Sequence, residues 1–138
     1  MIFDVEIKVL DASAEDVVCA VEKLEIAAGW MSAGMENRAE VSRLLKNSFI
    51  CVGAYVGGEM AGFARALSDG VETAYIVDFT VLPKFRRKGV GTQMCRFLVA
   101  GLKDFNIPKI LCISTPEAKN VYSKVGKPLE NCSPIRFV

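Results

Sequence analysis

Gly89 and Gly91 stand one residue apart, directly after Pro83 and the basic side chains Lys84, Arg86, Arg87 and Lys88. Apolar residues precede Pro83, and a helix-periodic stretch follows Gly91, so the glycines mark a strand-to-helix turn. Such a turn lets backbone N–H groups crowd against an oxyanion, and the helix points its positive end at the same spot. The arginines and lysines add charge without a metal. The chemistry on offer is the holding of a phosphate or pyrophosphate. A second reactive position is Asp78, flanked by Val77 and Phe79 in an otherwise apolar run. An ionised carboxylate there is costly unless it is paired or faces a water-filled site. It reads equally as an arginine's partner or as a base or substrate contact.

The 138 residues contain no histidine. That excludes Ser-His-Asp and Cys-His catalysis, imidazole metal ligands and the usual proton shuttle, leaving carboxylates, tyrosine, water and backbone groups. Five cysteines (Cys19, Cys51, Cys95, Cys112 and Cys132) form no CxxC pair and read as reduced, near-core residues. No metal site is expected. A net charge of +1 supplies no global field for nucleic acid or membrane, so the 84–88 cluster acts locally. Apolar runs are too short for a membrane span. The first ten residues carry acids within an apolar run and lack the basic start of a signal peptide, which predicts a cytoplasmic protein.

The elements that position these residues form one domain over residues 1–138. Residues 2–10 alternate as a strand. Ser13, as an N-cap with Asp16 three positions on, opens a helix with Val17, Val18, Val21 and Leu24 inward. The pattern breaks at 29–32, and a second helix is predicted over 36–47. Strands follow at 49–56 and 60–67 around Gly57-Gly58, then a turn at 68–70 and a long strand at 71–82. A helix over 92–103 shows Met94, Phe97, Leu98 and Leu102 on one face. Residues 109–114 read as a buried parallel strand, 117–125 as a helix, and Ile135 to Val138 as a last edge strand that could also pair with a second copy to make a homodimer. The fold class is α/β, a mixed and mostly antiparallel sheet with helices on both faces.

The glycine turn is not a Walker loop, because GxxxxGK[ST] is absent. Nor is it a dinucleotide GxGxxG, because position 94 is Met. Val81-x-Pro83-x-x-Arg86-x-x-Gly89-x-Gly91 instead resembles motif A of the GNAT N-acetyltransferase family, and the order of elements resembles that family along nearly the whole chain. The resemblance implies acetyl-CoA as co-substrate. Backbone amides of Arg87, Lys88, Gly89, Val90, Gly91 and Thr92, after Arg86, would hold its pyrophosphate. The strand from Phe79 to Val81 would bond the pantetheine arm. Ala118-x-x-Val121-Tyr122-x-Lys124-x-Gly126 resembles the family segment whose tyrosine is the general acid. A phenol suits that role, because its reference pKa near 10 lies close to that of a departing thiolate. Lys127 departs from the family's aromatic residue. Thr115 stands where many members have a cofactor-binding asparagine.

The expected activity is transfer of acetyl from acetyl-CoA to a primary amine of a small molecule or protein, by direct attack in a ternary complex. Tyr122 would be the acid and Asp78 the candidate base, with Glu72 second. The acceptor pocket is expected between the early helices, residues 68–75 and the tail, with Trp30, Met31, Phe63 and Tyr75 as walls. Arg65 would select an acidic group, or pair with Asp78 or Asp69. The missing family residues keep a non-catalytic acyl-CoA-binding module open. Nucleic acid is not an expected partner, because no aromatic residues are interleaved with the basic ones.

Overall fold

A computed structural model describes residues 4–33 and 36–138; Ile2, in the expected first strand, lies outside the described residues. The elements are β1 (Glu6–Val9), α1 (Glu15–Ala27), α2 (Glu36–Lys46), β2 (Ile50–Val56), β3 (Glu59–Ser68) and β4 (Thr73–Val81). They continue through a 3-10 turn (Pro83–Phe85) to α3 (Val90–Asp104), β5 (Lys109–Cys112) and α4 (Lys119–Ser123). The sheet runs in the order β1-β2-β3-β4-β5. Pairs up to β4 are antiparallel, and β5 lies parallel to β4. The mixed, mostly antiparallel sheet is the one expected.

Two helical layers cover it. Along β3, Phe63 and Arg65 line the same cavity as Val21 of α1, whereas Gly62, adjacent to Phe63 in the alternation, lies against Met94 of α3. The α1–α2 pair therefore covers one face and α3 the other. The core fills the space between these layers and the sheet: Leu45, Met94, Leu98, Leu102, Val41, Val52 and Val90 are almost wholly buried. Each such side chain contributes about 1.5–3 kcal/mol through its removal from water.

Most elements form where the residue pattern places them, with five differences. Ser13 does not cap α1: its N–H and hydroxyl both bond Asp11 Oδ1, and Ala14 takes the cap position. The short Asp11 side chain reaches the turn first. Phe97 is 37% exposed, and Cys95 takes its place on the inner face of α3. β5 stops at Cys112 and is only partly covered, because it is the sheet's edge. The last helix shrinks to Lys119–Ser123. Residues 135–138 form no strand, and Ile135, Phe137 and Val138 are exposed.

β4 departs from regular geometry twice. Phe63 pairs with Thr80 and Arg65 with Val77, so β4 carries one extra residue across that interval. Asp78 absorbs it at φ 52°, a left-handed conformation that aspartate tolerates better than most residues. Pairing with β5 then ends at Ile76–Cys112, and the two strands separate. Among the described residues, no strand neighbours the backbone edge of β4 beyond Ile76 on that side.

Leu98 and Phe97 test the helix register. In urea unfolding, Leu98→Ala should cost about 2–5 kcal/mol, as for a truncated core leucine. Phe97→Ala should cost clearly less. Equal losses would place Phe97 in the core.

Candidate active site

The strand edge, the glycine turn and α4 meet at one end of the molecule. Leu82 N–H bonds Ala61 O on β3. Backbone groups alternate sides along a strand, so those of Val81, and of Phe79 two residues earlier, face the open edge. Arg86 Nε donates to Val81 O at 2.8 Å and so ties the turn to the strand end. Gly89 forms the N-cap of α3 at φ 82°, where a side chain would be strained. No side chain caps this helix, and no acid lies in its first turn. The first N–H groups of α3, from Val90 to Thr92, therefore keep their hydrogen-bonding capacity and their positive end unopposed.

The turn's side chains have separate partners. Lys84 Nζ meets Glu59 Oε1 at 2.8 Å. Arg87, at φ 61°, and Lys88 pair with no carboxylate among the described residues. The Val90 side chain is buried, so only its backbone can meet a ligand. This donor set fits a pyrophosphate: uncapped amides, a left-handed glycine and two uncommitted cations around an acid-free helix start.

Tyr122, on α4, packs its ring edge against Phe79, with centroids 5.3 Å apart and planes at 64°. A Cβ on Gly91 would touch Val121 at 3.4 Å and Phe79 at 3.6 Å, so the start of α3, the strand edge and α4 lie in close contact. Burial raises the Tyr122 phenol well above its usual pKa, and the neighbouring Cys112 and Cys95 thiols add to the rise. The phenol is neutral at any ordinary pH.

A cavity of about 320 Å³ opens beside these groups. Val21, Glu25, Trp30 and Met31 wall it from α1 and the turn after it, and Val41, Leu44 and Leu45 from α2. The sheet contributes Phe63, Arg65 and the 76–80 segment of β4, and the far wall is Ile113, Thr115, Ala118 and Tyr122. Trp30, Met31 and Phe63 are thus walls, as expected. Tyr75 is not: it pairs with Leu67 further along the strand, away from the lining residues, and is exposed. Residues 68–75 and the tail supply no lining, and Asp69 instead caps the turn before β4 by accepting from Val71, Glu72 and Thr73. Glu72 is exposed and 3.8 Å from Lys109 Nζ, so it does not reach the cavity.

Arg65 Nε meets Asp78 Oδ2 at 2.5 Å, and its Nη1 reaches Ser48 Oγ at 3.3 Å. Arg65 is largely enclosed, and Asp78 is half exposed at the cavity wall. Asp78 therefore pairs with Arg65 and also borders the cavity.

Sequence reasoning missed Glu25. It is only 7% exposed, and its Oε1 has no hydrogen-bond partner among the described residues. Burial, then the charge of Asp78, pushes its pKa up to about 7, against hydrogen bonding from Thr80 and the charge of Arg65. Ionising it opposes folding, a cost that appears as pH rises from its ordinary 4.5 toward 7. The signal was present: Val18, Val21 and Glu25 fall on one helical stripe, so the carboxyl occupies an inward position. Gly29 at φ 85° then turns the chain so that Trp30 and Met31 both donate to Glu25 O.

Known proteins share this fold. The chain is 29% identical over 110 residues to an uncharacterized N-acetyltransferase ycf52 of Pyropia yezoensis, covering 77% of this chain and 62% of that one. It therefore spans less than two thirds of that relative's length. An aminoglycoside acetyltransferase from an uncultured soil metagenomic sample, solved in complex with sisomicin, superposes with a TM-score of 0.76 at 16% identity, over 97% of this chain and 94% of that one. A predicted acetyltransferase from Clostridium acetobutylicum, solved with acetyl-CoA, gives 0.71 at 17% identity over 96% of each chain. At these identities the two structures support the fold alone. The sequence model of the acetyltransferase (GNAT) family matches residues 17–126. With that match across most of its length, the chain belongs to the acetyltransferase (GNAT) family.

Proposed function

We propose that the protein transfers the acetyl group of acetyl-CoA to the primary amine of a small molecule, by direct attack while both are bound. The observation that carries this is the meeting of three features at one cavity: an uncapped, acid-free helix start behind Gly89, an unpaired β4 edge at Phe79 and Val81, and the Tyr122 phenol.

Each residue then has a physical task. Amides from Arg87 to Thr92 bind the pyrophosphate, with Arg87 and Lys88 adding charge and Arg86 fixing the turn to the strand. The Phe79 and Val81 backbone pairs with the pantetheine arm as an added strand would. Thr115, on the far wall, borders the thioester end. A backbone N–H on the open edge polarises the acetyl carbonyl. Tyr122, kept neutral by burial, gives its proton to sulfur as negative charge builds there. Asp78, with Arg65, sets the charge at the acceptor end.

Thiol release from acetyl-CoA across a panel of amines tests the activity. Tyr122→Phe should lower kcat about a hundredfold or more, with CoA affinity nearly unchanged. An unchanged kcat over the whole pH profile would remove Tyr122 from the mechanism. For the turn, Gly89→Ala should weaken CoA binding about tenfold by calorimetry, because it forces a side chain into the left-handed region at a cost of about 1–2 kcal/mol. Wild-type CoA affinity in that variant would show that the turn does not hold the pyrophosphate. Tight CoA binding without turnover of any amine would favour a non-catalytic acyl-CoA-binding module.

A further inference from the structure

We infer that Glu25 receives the ammonium group of the acceptor and takes its proton, so that the acceptor is a small primary alkylammonium with an apolar body. The inference rests on the acetyl-transfer reading and adds the base and the acceptor class to it.

Glu25 is an odd residue to find where it is. It occupies the inward stripe of α1 below Val18 and Val21, it is nine-tenths buried, and Oε1 accepts nothing. A buried carboxyl oxygen without a partner is expensive, and such groups persist where a ligand completes them. The group that would complete this one is a donor entering from the cavity that Glu25 lines.

Its neighbours narrow the choice of donor. On α1, Glu22 is turned to Arg38 of α2 at 3.3 Å and is not a cavity group. α2 offers only Val41, Leu44 and Leu45. β3 offers Arg65, committed to Asp78 on β4, and β4 also brings the Thr80 hydroxyl. The far wall brings Thr115 and Tyr122. Among the described residues, the cavity therefore holds two carboxyl groups and one guanidinium. A single cation is the charge it lacks, and apolar walls beyond it suit hydrocarbon rather than a second charged group. With a pKa near 7, Glu25 is ionised often enough to accept a proton and basic enough to hold it.

The step balances. The ammonium gives one proton to Glu25, and its freed lone pair forms the C–N bond to the acetyl carbon. The C–S bond breaks, its electron pair leaves on sulfur, and sulfur takes the Tyr122 proton. Of the two protons nitrogen loses, one passes from Glu25 to solvent and the other restores Tyr122. Glu25 and Tyr122 line the same cavity, as this division requires.

The test has two readouts on the intact protein. With glutamate labelled at its carboxyl carbon, NMR should show one signal titrating near pH 7 that is missing in Glu25→Gln. Added butylammonium should move that titration to lower pH. A titration unmoved by butylammonium at saturating concentration overturns the inference. Kinetically, kcat/KM for propyl- to hexylamine should fall at least a hundredfold in Glu25→Gln and lose its limb near pH 7, while CoA affinity holds. Wild-type turnover of these amines with the limb and rate intact in Glu25→Gln would overturn Glu25 as the base and leave acetyl transfer standing. No turnover of any amine by the wild type would overturn acetyl transfer and the catalytic role of Glu25 together.

Discussion

Between the Phe63–Thr80 and Arg65–Val77 pairs, β4 must fit one residue more than β3, and Asp78 turns left-handed to absorb it. That conformation costs about 1–2 kcal/mol in a residue with a Cβ. Beyond the bulge β4 no longer follows β5, so the sheet opens instead of continuing. The same distortion turns the Asp78 carboxylate to Arg65, whose enclosed guanidinium holds it at 2.5 Å. The ion pair and the open strand edge thus lie side by side at the bulge.

Charge in the cavity follows from that arrangement. Arg65 is shared in effect between two acids, one bonded to it directly and the other, Glu25, deeper and without a partner for Oε1. Two unit charges about 4 Å apart near a protein surface interact by about 4 kcal/mol, enough to decide which protonation state a buried acid takes. Desolvation and the Asp78 charge keep Glu25 protonated up to near neutrality. This explains how α1 tolerates a carboxyl on its buried stripe: the group is neutral where folding requires it and ionises only at the pH where a cation would be drawn in.

The geometry of the glycine turn was legible from the sequence because it is local. Pro83, Arg86, Gly89 and Gly91 lie within nine residues, and each has a backbone reason to be there: the strand end, the tie to Val81, the left-handed cap and the close packing on Val121. The parallel β5 and the hairpin between β2 and β3 were legible for the same reason. The acceptor end was not. Glu25, Arg65 and Asp78 come from three elements, and their meeting depends on the bulge and on α1 crossing β3, neither of which any short window encodes. Glu25 was hidden further by its type, because a glutamate on an amphipathic helix is by default assigned to solvent. The apolar tail misled in the opposite way. Ile135, Phe137 and Val138 are strand-like residues, yet the segment pairs with neither edge strand, β1 nor β5, and its side chains stay in solvent. Residue type favours a strand only where a neighbour supplies the ladder and a surface to cover.

The two ends also differ in what holds them constant. At the proposed donor end the contacts would be made by main-chain amides and a strand edge, which persist through most side-chain changes so long as the glycines and the bulge remain. At the proposed acceptor end, the cavity is lined by side chains of α1, α2 and β3 that can be exchanged without disturbing the sheet. A single replacement at Glu25, Leu44 or Arg65 would alter charge or shape in the cavity while leaving the glycine turn untouched. A shared fold with a shared donor is therefore compatible with many acceptors, and the acceptor must be argued from the cavity's own residues. Here those residues are two acids, one arginine and a hydrocarbon wall, a combination that discriminates first by charge and only then by size.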